Sequence, residues 1–198
     1  MKKIQLQPAE GIAIADPEAE IRVDKIGYGN VLVLCEAEHM AIGVAHVIFH
    51  DSTQNAKTSI INPMTYGDLA VEGLIQQMLK THEAYAELTQ ETLAPRLGAV
   101  LVGGCRPLVG TALKKLHPSE LDISPRTTEN IKVHLRGSAI PLHWELTAGA
   151  NRRSMQIRGN RMTIAEEDIL NREPTVSEIA IKFPEWHLTR GGKTKKLA

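Results

Sequence analysis

The stretch GYGNVLVLCEAEHMAIGVAHVIFH, residues 27–50, predicts the centre of the fold. Residues 30–36 and 41–50 are rich in Val, Leu and Ile, which is typical of strands buried on both faces. The polar segment EAEHM between them predicts the turn of a hairpin. We therefore expect two neighbouring antiparallel strands in the interior of a sheet.

The length of this hairpin also predicts which residues face each other. If Glu36 lies near Ala41, antiparallel pairing places Val31 opposite His46. Cys35 precedes the histidine in the same stretch, so a Cys/His hydrolase site has to be considered.

Composition bounds the class of protein. The chain has 198 residues, 42% of them hydrophobic, which is enough for one domain with a sizeable core. Lys plus Arg and Asp plus Glu each number 23, so no overall field attracts nucleic acid or anionic lipid. No apolar run approaches the length of a membrane span. We predict a cytoplasmic protein that neither binds nucleic acid nor inserts into a membrane.

Cysteine and histidine spacing argues against a bound metal. Cys35 and Cys105 are far apart and neither belongs to a CxxC pair, which excludes a disulfide scaffold and a zinc-ribbon pattern. His46 and His50 share a strand face, but residues four apart on a strand are separated by about 13 Å, too far for one zinc ion. The sequence predicts neither a metal site nor another cofactor.

The remaining segments predict strands, helices and strands in that order. Residues 20–26 alternate between apolar and polar side chains, as in a half-buried strand, and residues 51–64 read as an exposed loop. Asp68 is the predicted N-cap of a helix that runs to His82. Its apolar face comprises Val71, Leu74, Ile75, Met78 and Leu79.

The second half of the chain predicts a central strand at residues 97–104, which ends in a glycine pair. A helix beginning near Thr127 or Thr128 should stop at Gly137, followed by strands in residues 139–147 and 152–164. We therefore predict a mixed α/β fold of α+β character, with a mixed β-sheet core and flanking helices.

The pattern weakens beyond Glu166, and the sequence ends in the basic segment GGKTKKLA. We predict a domain over residues 1–165 and a C-terminal extension over residues 166–198 that is either weakly structured or packed on the domain.

Five separated segments resemble, in order, the CheD family of chemoreceptor glutamine deamidases. They are GYGN at 27–30, GVAHVIFH at 43–50, YGDLAVEGLIQQML at 66–79, VLVGG at 100–104 and the segment from Asn130 to Ile157, which contains an Arg pair. They span residues 27–157, about two thirds of the chain, which implies a CheD-like fold. The tail from Glu166 has no recognised counterpart.

The resemblance implies a chemistry and assigns its residues. In that family a cysteine attacks a glutamine side-chain amide, a histidine activates the thiol and a threonine orients the histidine. His46 matches the histidine, whereas Val31 stands at the cysteine position and Lys25 at the threonine position. Since the thiolate is the nucleophile, valine cannot replace cysteine.

The two cysteines of the chain, Cys35 and Cys105, could supply the missing thiol. Cys35 lies on the same strand face as Val31, but four residues along, about 13 Å away and beyond hydrogen-bond reach of the opposite histidine. It reads as a small buried side chain. Cys105 directly follows Gly103 and Gly104, where a sharp turn can expose a thiol, or it is a packed thiol at a strand end.

His46 itself could be a buried histidine whose hydrogen bonds are satisfied. Arg152 and Arg153 could clamp a carboxylate of a partner, since the guanidinium fork matches a carboxylate, or they lie in a solvated hairpin turn.

Two hypotheses of different classes follow. In the first, the chain is a CheD-like protein that has lost deamidation and works by binding in chemotaxis-type signalling, with chemoreceptors or a CheC-like protein as the partners that the resemblance suggests. In the second, it is an active protein-glutamine amide hydrolase that uses Cys35 or Cys105 with His46 as base.

Overall fold

The computed structural model describes residues 2–26, 29–55, 62–103, 123–147, 152–167 and 175–196. The described helices are α1 (Ala70–Leu79), α2 (Gln90–Leu93) and α3 (Ile123–Gly137). The described strands are β1 (Lys3–Gln5), β2 (Gly11–Ile14), β3 (Glu20–Ile26), β4 (Asn30–Glu36), β5 (Ile42–Val47), β6 (Leu97–Gly103), β7 (Leu142–Leu146), β8 (Arg152–Arg158), β9 (Arg161–Glu167), β10 (Thr175–Lys182) and β11 (His187–Lys196).

The strands form two mixed sheets rather than one. The central sheet has the order β2-β5-β4-β6-β7 and the outer sheet the order β1-β3-β8-β9-β10-β11. Each contains a parallel pair, β6 with β7 and β1 with β3. The predicted mixed α/β class with flanking helices is confirmed, and the structure adds the division into two sheets.

Alternation along β4 shows why the central sheet is covered on both faces. Val31, Val33 and Cys35 belong to a core that includes residues of both sheets. Leu32 and Leu34 belong to a second core, formed with the helices. Because successive side chains of a strand point to opposite faces, a strand buried on both sides is apolar along its central positions, here Val31 to Cys35. The molecule thus has three layers: outer sheet, central sheet and helices.

The predicted face of α1 is confirmed, but its cap is not. Val71, Leu74, Ile75 and Met78 are buried, whereas the helix begins at Ala70 and its N-cap residue makes no side-chain cap bond. The Asp68 carboxylate instead accepts hydrogen bonds from the backbone N–H and hydroxyl of Ser52, at 3.0 and 2.6 Å. It therefore fixes the start of a 3₁₀ turn that lies far away in sequence.

The second predicted helix is present and extends further toward the N-terminus. α3 begins at Ile123 and ends at Gly137, the predicted end. Thr127 and Thr128 are therefore buried within the helix rather than at its start.

The chain beyond Glu166 continues the outer sheet. β10 pairs with β9 on one side and with β11 on the other. Ile179, Ile181 and Phe183 are buried in the core between the sheets. The position chosen as the domain boundary lies inside β9, and β11 includes Lys196 from the segment expected to be a solvated tail.

Candidate functional site at the paired ends of β4 and β5

The hairpin has the predicted register. The Glu36 N–H donates to the Ala41 carbonyl at 2.9 Å, and Val31 pairs with His46. Val31 is fully buried in the core between the two sheets. Residues that pair directly across antiparallel strands point to the same face, so the His46 ring and the valine share the interior face of the sandwich.

His46 is held firmly by its backbone, while its ring lacks a partner at one nitrogen. Its N–H donates to the Glu10 carbonyl at 2.8 Å, and its own carbonyl accepts from the Ala9 N–H at 3.1 Å. The residue is 4% exposed. Within the part of the chain that the structure describes, Nδ1 has no hydrogen-bond partner. The ring is buried like that of a core histidine, but its Nδ1 lacks the hydrogen bond that a buried polar atom normally makes.

The electrostatics of the ring follow from its burial. Burial lowers the pKa of His46, because the charged form would lose its hydration. The imidazole is therefore held neutral near pH 7, and a neutral imidazole has one nitrogen that can accept a proton. The ring could serve as a base, but the side chain that faces it across the strands is a hydrocarbon.

Gly29 packs closely beside the ring. A Cβ on Gly29 would lie 3.3 Å from Nε2 of His46 and would collide with the Val47 carbonyl oxygen. Only a residue without a side chain fits there. The wall of the site next to Nε2 is thus formed by backbone.

The threonine position of the family lies at an irregular point of β3. The pairing of β3 with β8 shifts register between Val23 and Ile26, and Lys25 lies within that shift. The side chain of Lys25 is outside what the structure describes.

Cys35 lies at the opposite end of β4. It pairs with Ile42 and Gly98, is 1% exposed and its Sγ is 3.7 Å from the Glu36 carbonyl oxygen. Burial and the nearby Glu36 charge raise the pKa of its thiol to about 12. The other candidate thiol, Cys105, lies outside the described residues.

Arg153 points into the protein rather than into a solvated turn. It is 6% exposed, and its Nε donates to Glu166 Oε1 at 2.7 Å. Its Nη1 donates to the Gly103 carbonyl at 3.0 Å. These contacts occupy the guanidinium within the chain. The side chain of Arg152 is not among those described.

A further polar contact at this end was missed by sequence reasoning. Asn30 is fully buried, and its Oδ1 accepts a hydrogen bond from the Thr128 hydroxyl at 3.3 Å. Asn130 of the same helix donates to the His50 carbonyl at 2.6 Å. Thr128 was expected near the start of the helix, and the sequence carries no signal for its contact with Asn30. These bonds fix α3 against the strands that carry Val31 and His46.

One group among the described residues has the ligand types for a metal ion. Oxygen atoms of Glu36 and Glu38 and a ring nitrogen of His39 lie within 4.8 Å of one another. Glu36 Oε2 already accepts from the Tyr85 hydroxyl at 2.9 Å and from the His39 N–H at 2.7 Å, and Glu38 faces Arg96. These contacts account for the cluster as a hairpin cap, at the far end of β4 from His46.

The fold and site define a class: a three-layer α/β protein whose buried histidine faces the neighbouring strand between two sheets. No described helix is long and apolar enough to cross a membrane. A scan against protein-family models finds no match. A search of curated proteins finds a probable chemoreceptor glutamine deamidase CheD of Clostridium novyi (strain NT), 30% identical over 149 residues, which are 73% of this chain and 83% of that protein.

Identity at this level over most of both chains shows common descent. The chain belongs to the CheD family. This confirms the resemblance predicted from the five sequence segments.

Proposed function

We propose that this chain is a catalytically impaired CheD-family protein that acts by protein binding in chemotaxis-type signalling. One observation carries the proposal: the residue paired with His46 is Val31, which is fully buried. Hydrolysis of an amide by this family's chemistry needs a thiolate beside the imidazole. A valine at that position supplies neither a nucleophile nor a proton for the base to take.

The position of Lys25 supports the same proposal. In the family pattern a threonine there orients the histidine, and His46 has no described partner at Nδ1. Among the described residues, His46 has neither a thiol in front of it nor an orienting hydroxyl behind it, and these are two of the three groups on which proton transfer in the family depends.

The partner we propose is a chemoreceptor or a CheC-like protein. The similar protein from Clostridium novyi is named for chemoreceptor glutamine deamidation. The balanced charge of 23 cationic and 23 anionic residues gives no support for nucleic acid. Of the arginine pair, Arg152 is the residue we propose for contact with an acidic group, since Arg153 is engaged within the chain. We also propose a cytoplasmic location.

We propose that residues 166–198 are an extension of the family domain that packs on it. Its strands continue the outer sheet, and its apolar residues join the core between the sheets. The turn after β10 reaches the central sheet, where the Trp144 indole N–H donates to the Trp186 carbonyl at 2.7 Å.

A second candidate is an active amide hydrolase with a displaced thiol. Of the two cysteines, Cys105 is the one we propose for this candidate. In the sequence Cys105 follows Gly103 by two residues, and Gly103 pairs with Asn30, the neighbour of Val31. Cys35 is at the other end of β4, and its raised pKa leaves almost no thiolate at neutral pH.

The test uses the purified full chain with cytoplasmic chemoreceptor fragments that contain glutamine. Mass spectrometry measures conversion of glutamine to glutamate, and calorimetry measures binding to the fragments and to a CheC-like protein. We expect binding without conversion. Conversion at an enzyme-like rate that is lost on His46→Ala would refute the proposal. Loss on Cys105→Ser but not on Cys35→Ser would establish the second candidate, and absence of binding to either partner would refute the binding role.

A further inference from the structure

Arg153 joins the two sheets at the His46 end of the molecule. Its backbone belongs to β8 of the outer sheet, where it pairs with Ile26 of β3. Its Nη1 donates to the carbonyl of Gly103, at the end of β6 in the central sheet, at 3.0 Å. Glu166 of β9 accepts from Nε at 2.7 Å. The planar guanidinium therefore holds a carboxylate and a backbone carbonyl at once, which its fixed fork of donors permits.

The carbonyl that Arg153 holds belongs to a tightly packed glycine. Gly103 has a φ of 133°, a conformation that side chains disfavour, and it pairs with Asn30. A Cβ there would lie 2.6 Å from the Gly29 carbonyl oxygen and 3.0 Å from Asn30 Cα. The end of β6 is therefore packed so closely against Gly29 and Asn30 that it leaves no room for a side chain.

Gly29 in turn forms the backbone wall next to the imidazole, since a Cβ added to it would lie 3.3 Å from Nε2 of His46. Arg153 is thus hydrogen-bonded to Gly103, Gly103 pairs with Asn30, and Asn30 is the chain neighbour of Gly29 beside the His46 ring.

We infer that Arg153 is a positioning residue of the His46 site: it holds Gly103 against Gly29 and thereby fixes the wall that covers Nε2, while Glu166 orients the guanidinium. The inference rests on the proposed function in taking the surroundings of His46 as the functional site. It replaces a partner-facing role for this arginine by an internal one.

The experiment compares Arg153→Lys with Arg158→Lys, its matched control. Arg158 is an exposed arginine of the same strand. A lysine at 153 keeps the charge but lacks the planar fork, so it cannot hold both acceptors in the same geometry. The pKa of His46 is measured by NMR titration, and exposure of its ring by the rate of modification with diethyl pyrocarbonate.

In Arg153→Lys we expect the His46 pKa to rise from its lowered value toward the ordinary value of about 6.5, with faster ring modification, because water reaches Nε2. Arg158→Lys should leave both unchanged. Glu166→Gln leaves the hydrogen bond from Arg153 to Gly103 in place, so it should raise the His46 pKa by a smaller amount.

General destabilisation is excluded with Tyr85→Phe, which weakens the far end of β4. It should lower the melting temperature without moving the His46 pKa. If Arg153→Lys remains folded by circular dichroism and its His46 titrates and reacts as in the wild type, the inference is wrong. If Arg153→Lys fails to fold, Glu166→Gln decides alone, and an unchanged His46 pKa there overturns the inference. Both readouts use the isolated protein, so they are independent of whether a chemoreceptor binds.

Discussion

The two ends of strand β4 differ in how their buried polar groups are satisfied. At the far end, the Glu36 carboxylate accepts from the Tyr85 hydroxyl at 2.9 Å and from the His39 N–H at 2.7 Å. At the near end, the Asn30 end of β4, Val31 pairs with His46 of the neighbouring strand. His46 is 4% exposed, and its Nδ1 has no partner within the described residues. A buried polar group without a partner costs free energy that a purely structural position would not retain. The two ends therefore differ in the free-energy cost of their buried polar groups.

The comparison also separates the two positions that a thiol could occupy on β4. Cys35 is buried beside an anionic Glu36, which raises its pKa to about 12. Position 31 faces an imidazole instead, and such a neighbour lowers a thiol pKa when it carries the proton. The same strand thus offers one environment that suppresses a thiolate and one that would stabilise it.

The largest expected effect comes from Val31→Cys in a Cys105→Ser background. Thiols paired with a histidine have pKa values of roughly 3.5–7.5. At pH 7.5 the introduced thiol should therefore react with iodoacetamide more than about a thousandfold faster than Cys35. Mass spectrometry of the labelled peptides across pH measures both rates in the same molecule.

The control for this experiment is His46→Gln in the same background, which should return the introduced thiol to the reactivity of an ordinary cysteine. An introduced thiol that stays inert over the whole pH range would show that the site has drifted beyond the loss of one side chain.

An intermediate effect is expected from Tyr85→Phe at the far end. Removing the hydroxyl leaves the buried Glu36 without one of its donors, and a hydrogen bond to a charged group contributes about 1.5–3 kcal/mol. The free energy of unfolding in urea should fall by that amount. In a Glu36→Gln background the same substitution should cost clearly less, and an equal cost in both backgrounds would assign the loss to packing rather than to the hydrogen bond.

The smallest effect concerns pH and the near end. Burial lowers the pKa of His46 below its value in the unfolded chain, so the unfolded state binds the proton more readily. Stability from this group is present above the unfolded pKa of about 6.5 and is lost as pH falls toward the folded value. His46→Gln removes this loss. As pH falls from 7.5 to 5, the unfolding free energy of the wild type should therefore decrease relative to that of the variant, as measured by urea denaturation. An increase relative to the variant would contradict a neutral buried ring.

Local patterns predicted much of the fold. The apolar strands at residues 30–36 and 97–103, the buried face of α1 and the end of α3 at Gly137 all follow from periodicity and a glycine stop. Within residues 166–198, Ile179, Ile181 and Phe183 recur at every second position, as in a half-buried strand.

The missed and misplaced contacts share one property: their partners are distant in sequence. Asp68 was expected to cap its own helix and instead binds Ser52. Arg153 was expected either to clamp a carboxylate of a partner or to lie in a solvated turn, and its side chain binds Gly103 and Glu166. Local propensity cannot choose among such partners, because a carboxylate or guanidinium accepts many geometries and only packing decides which group lies within reach.

The sequence by itself determined the family and the pairing of Val31 with His46. The hairpin has a fixed turn length and a side-chain period of two, so the register follows from counting residues. Only the tertiary structure decided that the histidine lies between two sheets with no partner at Nδ1 among the described residues, and that Arg153 reaches across those sheets to Gly103 at the end of β6. These properties depend on how strands far apart in the chain are layered, which no local pattern specifies.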